Sequence, residues 1–220
     1  MTAADDMRER MERMYRPQRL IYDATRKHYL LGRDRLIREL DARPGEVVVD
    51  IGCGTGRNLL AITQRYPGVI PCGLDAAAVM LEATRHGFRR AGHPEPRLFR
   101  GLAEELDPAV QFGVATAAHA IFSYSLSMIE EPVAAIERAV GHLAPAGCLH
   151  IVDFGAMDRL PRMLATTMRH WLARFGVRHR AEIGPTLERL ARAKGGRVER
   201  RSIANGYAEL LRLRLTPMDS

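Results

Sequence analysis

The chain has 220 residues, 46% of them hydrophobic and 27% charged, which is the composition of one globular domain able to bury a full core. Its formal net charge of +7 comes almost entirely from arginine, because Lys27 and Lys194 are the only lysines. That charge is spread through the chain rather than run together, so it reads as solvated faces, and it excludes a disordered basic tail while permitting an anionic partner.

Residues 6–40 read as helical, with Arg and Glu interleaved among Met7, Met11, Met14, Leu20, Ile21, Leu30, Leu31 and Leu36, and with Pro17 opening a new helix. Met1 to Arg13 is too charged for a secretory signal. This region precedes the first strand, so residues 1–42 are expected to form a helical cap on the core. Ala42-Arg43-Pro44-Gly45 is the turn that follows.

The central stretch is Val47-Val48-Val49-Asp50-Ile51-Gly52-Cys53-Gly54-Thr55-Gly56-Arg57-Asn58. A β-branched run that ends in an acidic residue, then a glycine turn, then Leu59, Leu60, Ile62 and Tyr66 at helical spacing make a strand, turn and helix. Such a unit holds a nucleotide-type cofactor. A dinucleotide site would need a third glycine where Arg57 stands. The pattern here is Asp-x-Gly-x-Gly-x-Gly from Asp50 to Gly56, and an aspartate at the strand tip repels a pyrophosphate. It suits the ammonium and sulfonium of S-adenosylmethionine. Gly52, Cys53, Gly54, Gly56 and Asn58 are therefore expected at the cofactor, with Asp50 near its methionine ammonium.

Asp75 follows the run Val69-Ile70-Pro71-Cys72-Gly73-Leu74, about twenty positions past the glycines, where a carboxylate accepts hydrogen bonds from ribose. Its alternative is a helix N-cap ahead of Ala76-Ala77-Ala78. The spacing favours ribose, with Ala76 beside it. The two motifs resemble motifs one and two of the class I methyltransferases. The fold class expected is α/β, a Rossmann-like and mostly parallel seven-stranded sheet with an antiparallel last strand.

Core strands are expected near 46–51, 69–74, 97–101, 112–117 and 147–153, and helices near 56–66, 76–87 and 131–143. Gly101-Leu102-Ala103-Glu104 either holds adenine through Leu102 and Ala103 or is a plain loop. Phe112 to Ile129 is uncharged for long enough to span a bilayer. However, it carries Gly113, His119 and many Ser and Thr, and its first half reads as a core strand. Ala118-His119 would then follow the fourth strand at the cofactor. Three cysteines without Cys-x-x-Cys spacing argue against disulfides or zinc and for a reducing cytoplasm. No metal is expected.

Core residues 43–155 are followed by an inserted helix within 156–183 and by a C-terminal helix and hairpin in 184–220. Leu160, Met163, Leu164, Met168, Trp171, Leu172 and Phe175 form one apolar stripe, with Arg162, Arg169 and Arg174 on or beside the opposite face. The stripe either faces the core or lies in a membrane interface. Pro185 to Lys194 reads as a helix stopped by Gly195-Gly196, and 197–203 and 207–215 as strands turning at Asn205-Gly206.

No Asn/Asp-Pro-Pro-aromatic motif follows the fourth strand, where the chain reads Ala118-His119-Ala120-Ile121-Phe122, so a nucleic-acid acceptor is not expected. Four segments resemble the betaine-lipid N-methyltransferases. They are Tyr15 through Arg35, Ser123-Tyr124-Ser125-Leu126-Ser127-Met128-Ile129, Asp153-Phe154-Gly155 and Asn205-Gly206-Tyr207-Ala208. The resemblance implies N-methylation of diacylglyceryl-homoserine to diacylglyceryl-trimethylhomoserine, by a cytoplasmic enzyme working peripherally at a membrane surface. Proximity supplies most of the acceleration of such a transfer, and His119 or Tyr124 could relay the amine's proton. Tyr15, Tyr22, Tyr29 and Tyr124 could face the quaternary product or simply pack the cap. Arg26 and Arg33 could pair with the carboxylate of the cofactor or of the homoserine head. On this reading Tyr22 and Arg26 serve the cofactor, and Tyr15, Tyr29, Arg33 and Ser123 the acceptor.

Overall fold

A computed structural model describes residues 30–174 and 176–217. Seven strands form one sheet: β1 Val47–Ile51, β2 Ile70–Asp75, β3 Arg97–Arg100, β4 Ala117–Ser123, β5 Leu143–Phe154, β6 Gly196–Ile203 and β7 Ala208–Leu215. Their order is β3-β2-β1-β4-β5-β7-β6. β1 to β5 pair in parallel, and β7 runs antiparallel to both β5 and β6. The Rossmann-like sheet expected from the sequence is the one observed.

The described helices are α1 Arg33–Arg38, α2 Arg57–Arg65, α3 Ala78–Arg90, α4 Pro108–Phe112, α5 Pro132–Gly141, α6 Arg162–Ala173 and α7 Ile183–Lys194. Alternation along each strand divides the core. Val49, Ile51, Leu149 and Ile151 pack with Ile136 of α5 and Leu187 of α7. Val48, Ile121 and Val152 face the other way, onto Leu36 of α1 and Leu172 of α6. The strand order reverses between β1 and β4, and the carboxyl ends of strands at such a switch point leave a crevice.

One boundary departs sharply from expectation. Residues 112–117 are not the fourth strand, which runs from Ala117 to Ser123. The Asp107 side chain accepts hydrogen bonds from the Ala109 and Val110 amides, and Pro108 stands at the start of α4. Gly113 then ends that helix in the left-handed region at φ 66°. The capping signal was present in the sequence and outranks the apolar run behind it. β5 also starts early, at Leu143, because Ala117 pairs with Leu143 before the register shifts.

The hairpin turn is four residues, Ala204 to Tyr207, with Ala204, Asn205 and Gly206 all at positive φ. Of the expected helical cap, α1 is described, while residues 6–29 lie outside the described residues. No helix among the described residues is long and apolar enough to cross a membrane. The expected apolar stripe splits: Leu172 is buried, but Met163 is 85%, Leu164 48% and Trp171 39% exposed. Phe175 lies outside the described residues.

Candidate active site

The glycine turn is held from both sides. The Gly52 and Cys53 amides donate to the Leu74 carbonyl at 2.8 and 3.0 Å, which ties the turn to the tip of β2. A Cβ on Gly52 would lie 2.6 Å from Ser125 Cβ, so only glycine lets the loop after β4 close on it. Gly56, at φ +72°, would place a Cβ 2.4 Å from Thr84 Cγ2, and the Thr84 hydroxyl donates to Gly54 O at 2.9 Å. By contrast, a Cβ on Gly54 would meet nothing within 4 Å. The turn is packed at its ends and open in the middle.

That opening belongs to a cleft continuous with solvent. Gly52, Gly54, Asp75 and Ala76 line one side, Leu102, Ala103 and Glu104 another, and Ser123, Tyr124, Met128, Ile129 and Glu130 the third. The Asp75 carboxylate accepts from the Gly54 amide at 2.8 Å and the Ala77 amide at 2.9 Å. The ribose and capping readings of Asp75 are thus compatible. Each bond uses a different oxygen, and a carboxylate oxygen can accept more than one hydrogen bond.

Asp50 lies behind the turn rather than on the cleft wall, and it is fully buried. One of its oxygens accepts from Asn58 Nδ2 at 3.2 Å. Its Oδ1 has no donor, nor has the Asn58 amide oxygen any hydrogen-bond partner. Burial raises the Asp50 pKa to about 7, with the nearby Asp75 charge adding, and with the Asn58 bond and Arg33 opposing. Two buried acceptors lacking donors beside an open glycine turn fit a cationic group such as an α-ammonium. The residues present therefore fit S-adenosylmethionine. Cys53 is buried behind the same turn and, like Asn58, does not line the cleft.

Tyr124 lines the cleft at φ +58°, and its hydroxyl donates to the Leu31 carbonyl at 2.5 Å. Burial pushes its phenol far above the ordinary range. Its proton is committed to the backbone, which pins the segment leading into α1 against the tip of β4. Arg33 follows two residues later, with only 12% of its side chain exposed.

His119 is not brought to the cleft. It was expected there because the fourth strand was expected to end at residue 117. In the actual register His119 pairs with Val48, four residues before the β4 tip. Its ring nitrogens lie 3.1 Å from His150 Nε2 and 3.2 Å from Glu46 Oε2, toward the amino end of the sheet. Ala118 moves with it. Tyr15, Tyr22, Arg26 and Tyr29 lie outside the described residues. Glu104 and Glu130 were not singled out from sequence; their signal was the crowd Glu104-Glu105 and Glu130-Glu131 beside two cleft segments. Burial raises the pKa of Glu104, and Glu105, Glu131 and Glu130 add to it.

Comparison with known proteins agrees with this geometry. Residues 48–147 match the family model described as a methyltransferase domain. The trans-aconitate 2-methyltransferase of Deinococcus radiodurans is 30% identical over 63% of this chain and 52% of its own. The nocamycin O-methyltransferase of Saccharothrix syringae is 34% identical over 58% and 45%. The chain thus spans about half the length of these curated relatives. A chain from the complex between the Haloferax volcanii Trm112 methyltransferase activator and a methyltransferase superposes with a TM-score of 0.71, covering 95% of this chain and 98% of that one at 16% identity. Residues 48–147 are thus similar to a methyltransferase domain, and the fold is one that solved methyltransferase structures share.

Proposed function

We propose that this protein transfers a methyl group from S-adenosylmethionine to the amine of a lipid head group, with diacylglyceryl-homoserine the acceptor. The observation that carries the amine is the sign of the cleft. Asp75, Glu104 and Glu130 line it, and no arginine or lysine does so among the described residues. Such a wall attracts an ammonium-bearing acceptor and repels one with several carboxylates. The lipid is supported by the resemblance of four segments spread from Tyr15 to Ala208, and by the exposed Met163 and Leu164 on α6 among Arg162, Arg169 and Arg174.

The bound cofactor supplies an electrophilic methyl group. The protein's part is positional. Asp75 orients the ribose, Asp50 and Asn58 receive the ammonium, and the open face of Gly54 admits the backbone's close approach. The apolar part of the cleft wall, Leu74, Leu102, Met128 and Ile129, keeps water away from the transfer.

A second reading follows from the relatives' names, which point to oxygen of a small carboxylate or hydroxyl as acceptor. Those matches leave about half of each relative unmatched, so they do not fix the acceptor. Purified protein with radiolabelled S-adenosylmethionine separates the two. Label in lipid, offered as diacylglyceryl-homoserine vesicles, is expected, and label in trans-aconitate without any in lipid overturns the proposal. No label in any acceptor would leave a non-catalytic, cofactor-binding subunit.

A further inference from the structure

We propose that Arg180 is a positioning residue for the cofactor: from behind the cleft it holds the wall formed by Met128, Ile129 and Glu130. The inference rests on S-adenosylmethionine being the cofactor. It gives a role to the segment between α6 and α7, which supplies none of the cleft-lining residues named above. The wall is a short irregular piece between the tip of β4 and Pro132, the first residue of α5. Its own backbone closes one turn, in which the Met128 and Ile129 amides donate to the Ser125 carbonyl at 3.0 and 3.1 Å. That turn satisfies two donors and leaves the Ser127 and Ile129 carbonyls to be met from elsewhere.

Both partners come from the segment that follows α6. The Arg178 amide donates to the Ser127 carbonyl at 3.1 Å, and the Arg180 guanidinium donates through Nη2 to the Ile129 carbonyl. Between them, His179 Nδ1 lies 3.3 Å from the carbonyl of Phe154, the last residue of β5. From the same strand, Asp153 Oδ2 accepts from the Ser127 amide at 3.0 Å. Of these four contacts, that of Arg180 alone ends on a residue lining the cleft. The Arg180 side chain is 18% exposed, and its Nε is buried without an acceptor. Burying a guanidinium with one donor unpaired is costly, so this is a group fixed for a contact rather than one left at a surface. Its charge-assisted bond is stronger than a neutral one and grips a backbone atom, so it limits how far Met128 and Ile129 can move. A slack wall would have to be ordered when cofactor binds, and Arg180 removes that entropic cost beforehand.

Calorimetry with S-adenosylmethionine and hydrogen exchange, both on the full chain, test the assignment. Arg180→Met keeps an unbranched side chain and removes its donors, so cofactor affinity should fall by about 10-fold, the worth of one charge-assisted bond. Exchange at the Met128 and Ile129 amides should quicken in the ligand-free variant and slow again on saturation with cofactor, while β1 and β5 keep their wild-type protection. Arg180→Lys, which keeps a charged donor, should recover part of the affinity. Arg189→Met, which removes an exposed arginine from α7, should change it less than about twofold. Unchanged affinity in Arg180→Met overturns the proposal. So does a loss accompanied by faster exchange throughout the sheet, which would make Arg180 a residue of the fold alone. If wild type binds no S-adenosylmethionine, the cofactor assignment falls, and unaltered exchange at Met128 and Ile129 in Arg180→Met overturns the brace separately.

Discussion

The Asp50→Asn variant exposes how this site trades stability for binding. The Asp50 carboxyl is fully buried, and burial raises its pKa from 3.8 to about 7 in the ligand-free protein. A group whose folded pKa lies above its unfolded one stabilises the fold below the unfolded value, and loses that contribution as pH climbs through the folded one. The rise is about three units at roughly 1.4 kcal/mol each, so holding the ionised carboxylate costs about 4 kcal/mol at pH 8. Asparagine keeps the shape and removes the charge. Urea unfolding without cofactor should show Asp50→Asn more stable than wild type at pH 8, by up to about 4 kcal/mol, with the difference gone near pH 4. The sign should reverse for binding. Wild-type affinity for S-adenosylmethionine should rise with pH through 7 as Asp50 ionises, whereas the variant should bind more weakly and with a flat profile. If Asp50→Asn is the less stable protein at pH 8, the carboxylate already has a partner without cofactor, and the reasoning fails.

Asp75→Asn retains most of the packing but weakens the acceptor for ribose, and calorimetry should show about 1–3 kcal/mol of lost cofactor affinity in a folded protein. Gly56→Ala forces a Cβ into Thr84 and a non-glycine residue into positive φ, so it should lower stability by about 2–4 kcal/mol in urea. Adding Thr84→Ala should recover only the steric part. His119 and His150 both have lowered pKa values, chiefly from burial, so the unfolded chain takes up their protons first. Their contribution is intact above pH 6.5 and is lost as pH falls below it, and His119→Asn with His150→Leu should flatten that acid slope of the urea midpoint.

Much of this was legible because the informative residues act locally. Asp50 to Gly56 and Asp75 declare a strand, a turn and an acceptor through spacing alone, and the structure brings both segments to one crevice. The Asn205-Gly206 signal placed the last hairpin correctly, though not its length. The fourth strand was missed because two local rules competed over residues 107–117. The apolar run argued for a strand, whereas Asp107-Pro108 and Gly113 capped a short helix at both ends. That one shift carried His119 away from the expected site, since a residue's place along a strand, unlike its type, depends on where the strand begins.

The setting of Tyr124 depends on a contact between distant parts of the chain. A tyrosine in a Ser-Tyr-Ser stretch could equally be a proton relay, a face for an ammonium or a packing residue. What the sequence does not show is Leu31, ninety-three positions earlier, whose carbonyl accepts the hydroxyl's hydrogen bond. The same contact fastens the segment before α1 to the tip of β4, and Leu36 and Ile37 of α1, with Leu40 just beyond it, carry that attachment on into the core against Val48, Ile121 and Val152. Leu36→Ala should therefore lower stability by about 2–5 kcal/mol in urea, and a loss under about 1 kcal/mol would mean that α1 is not part of the core.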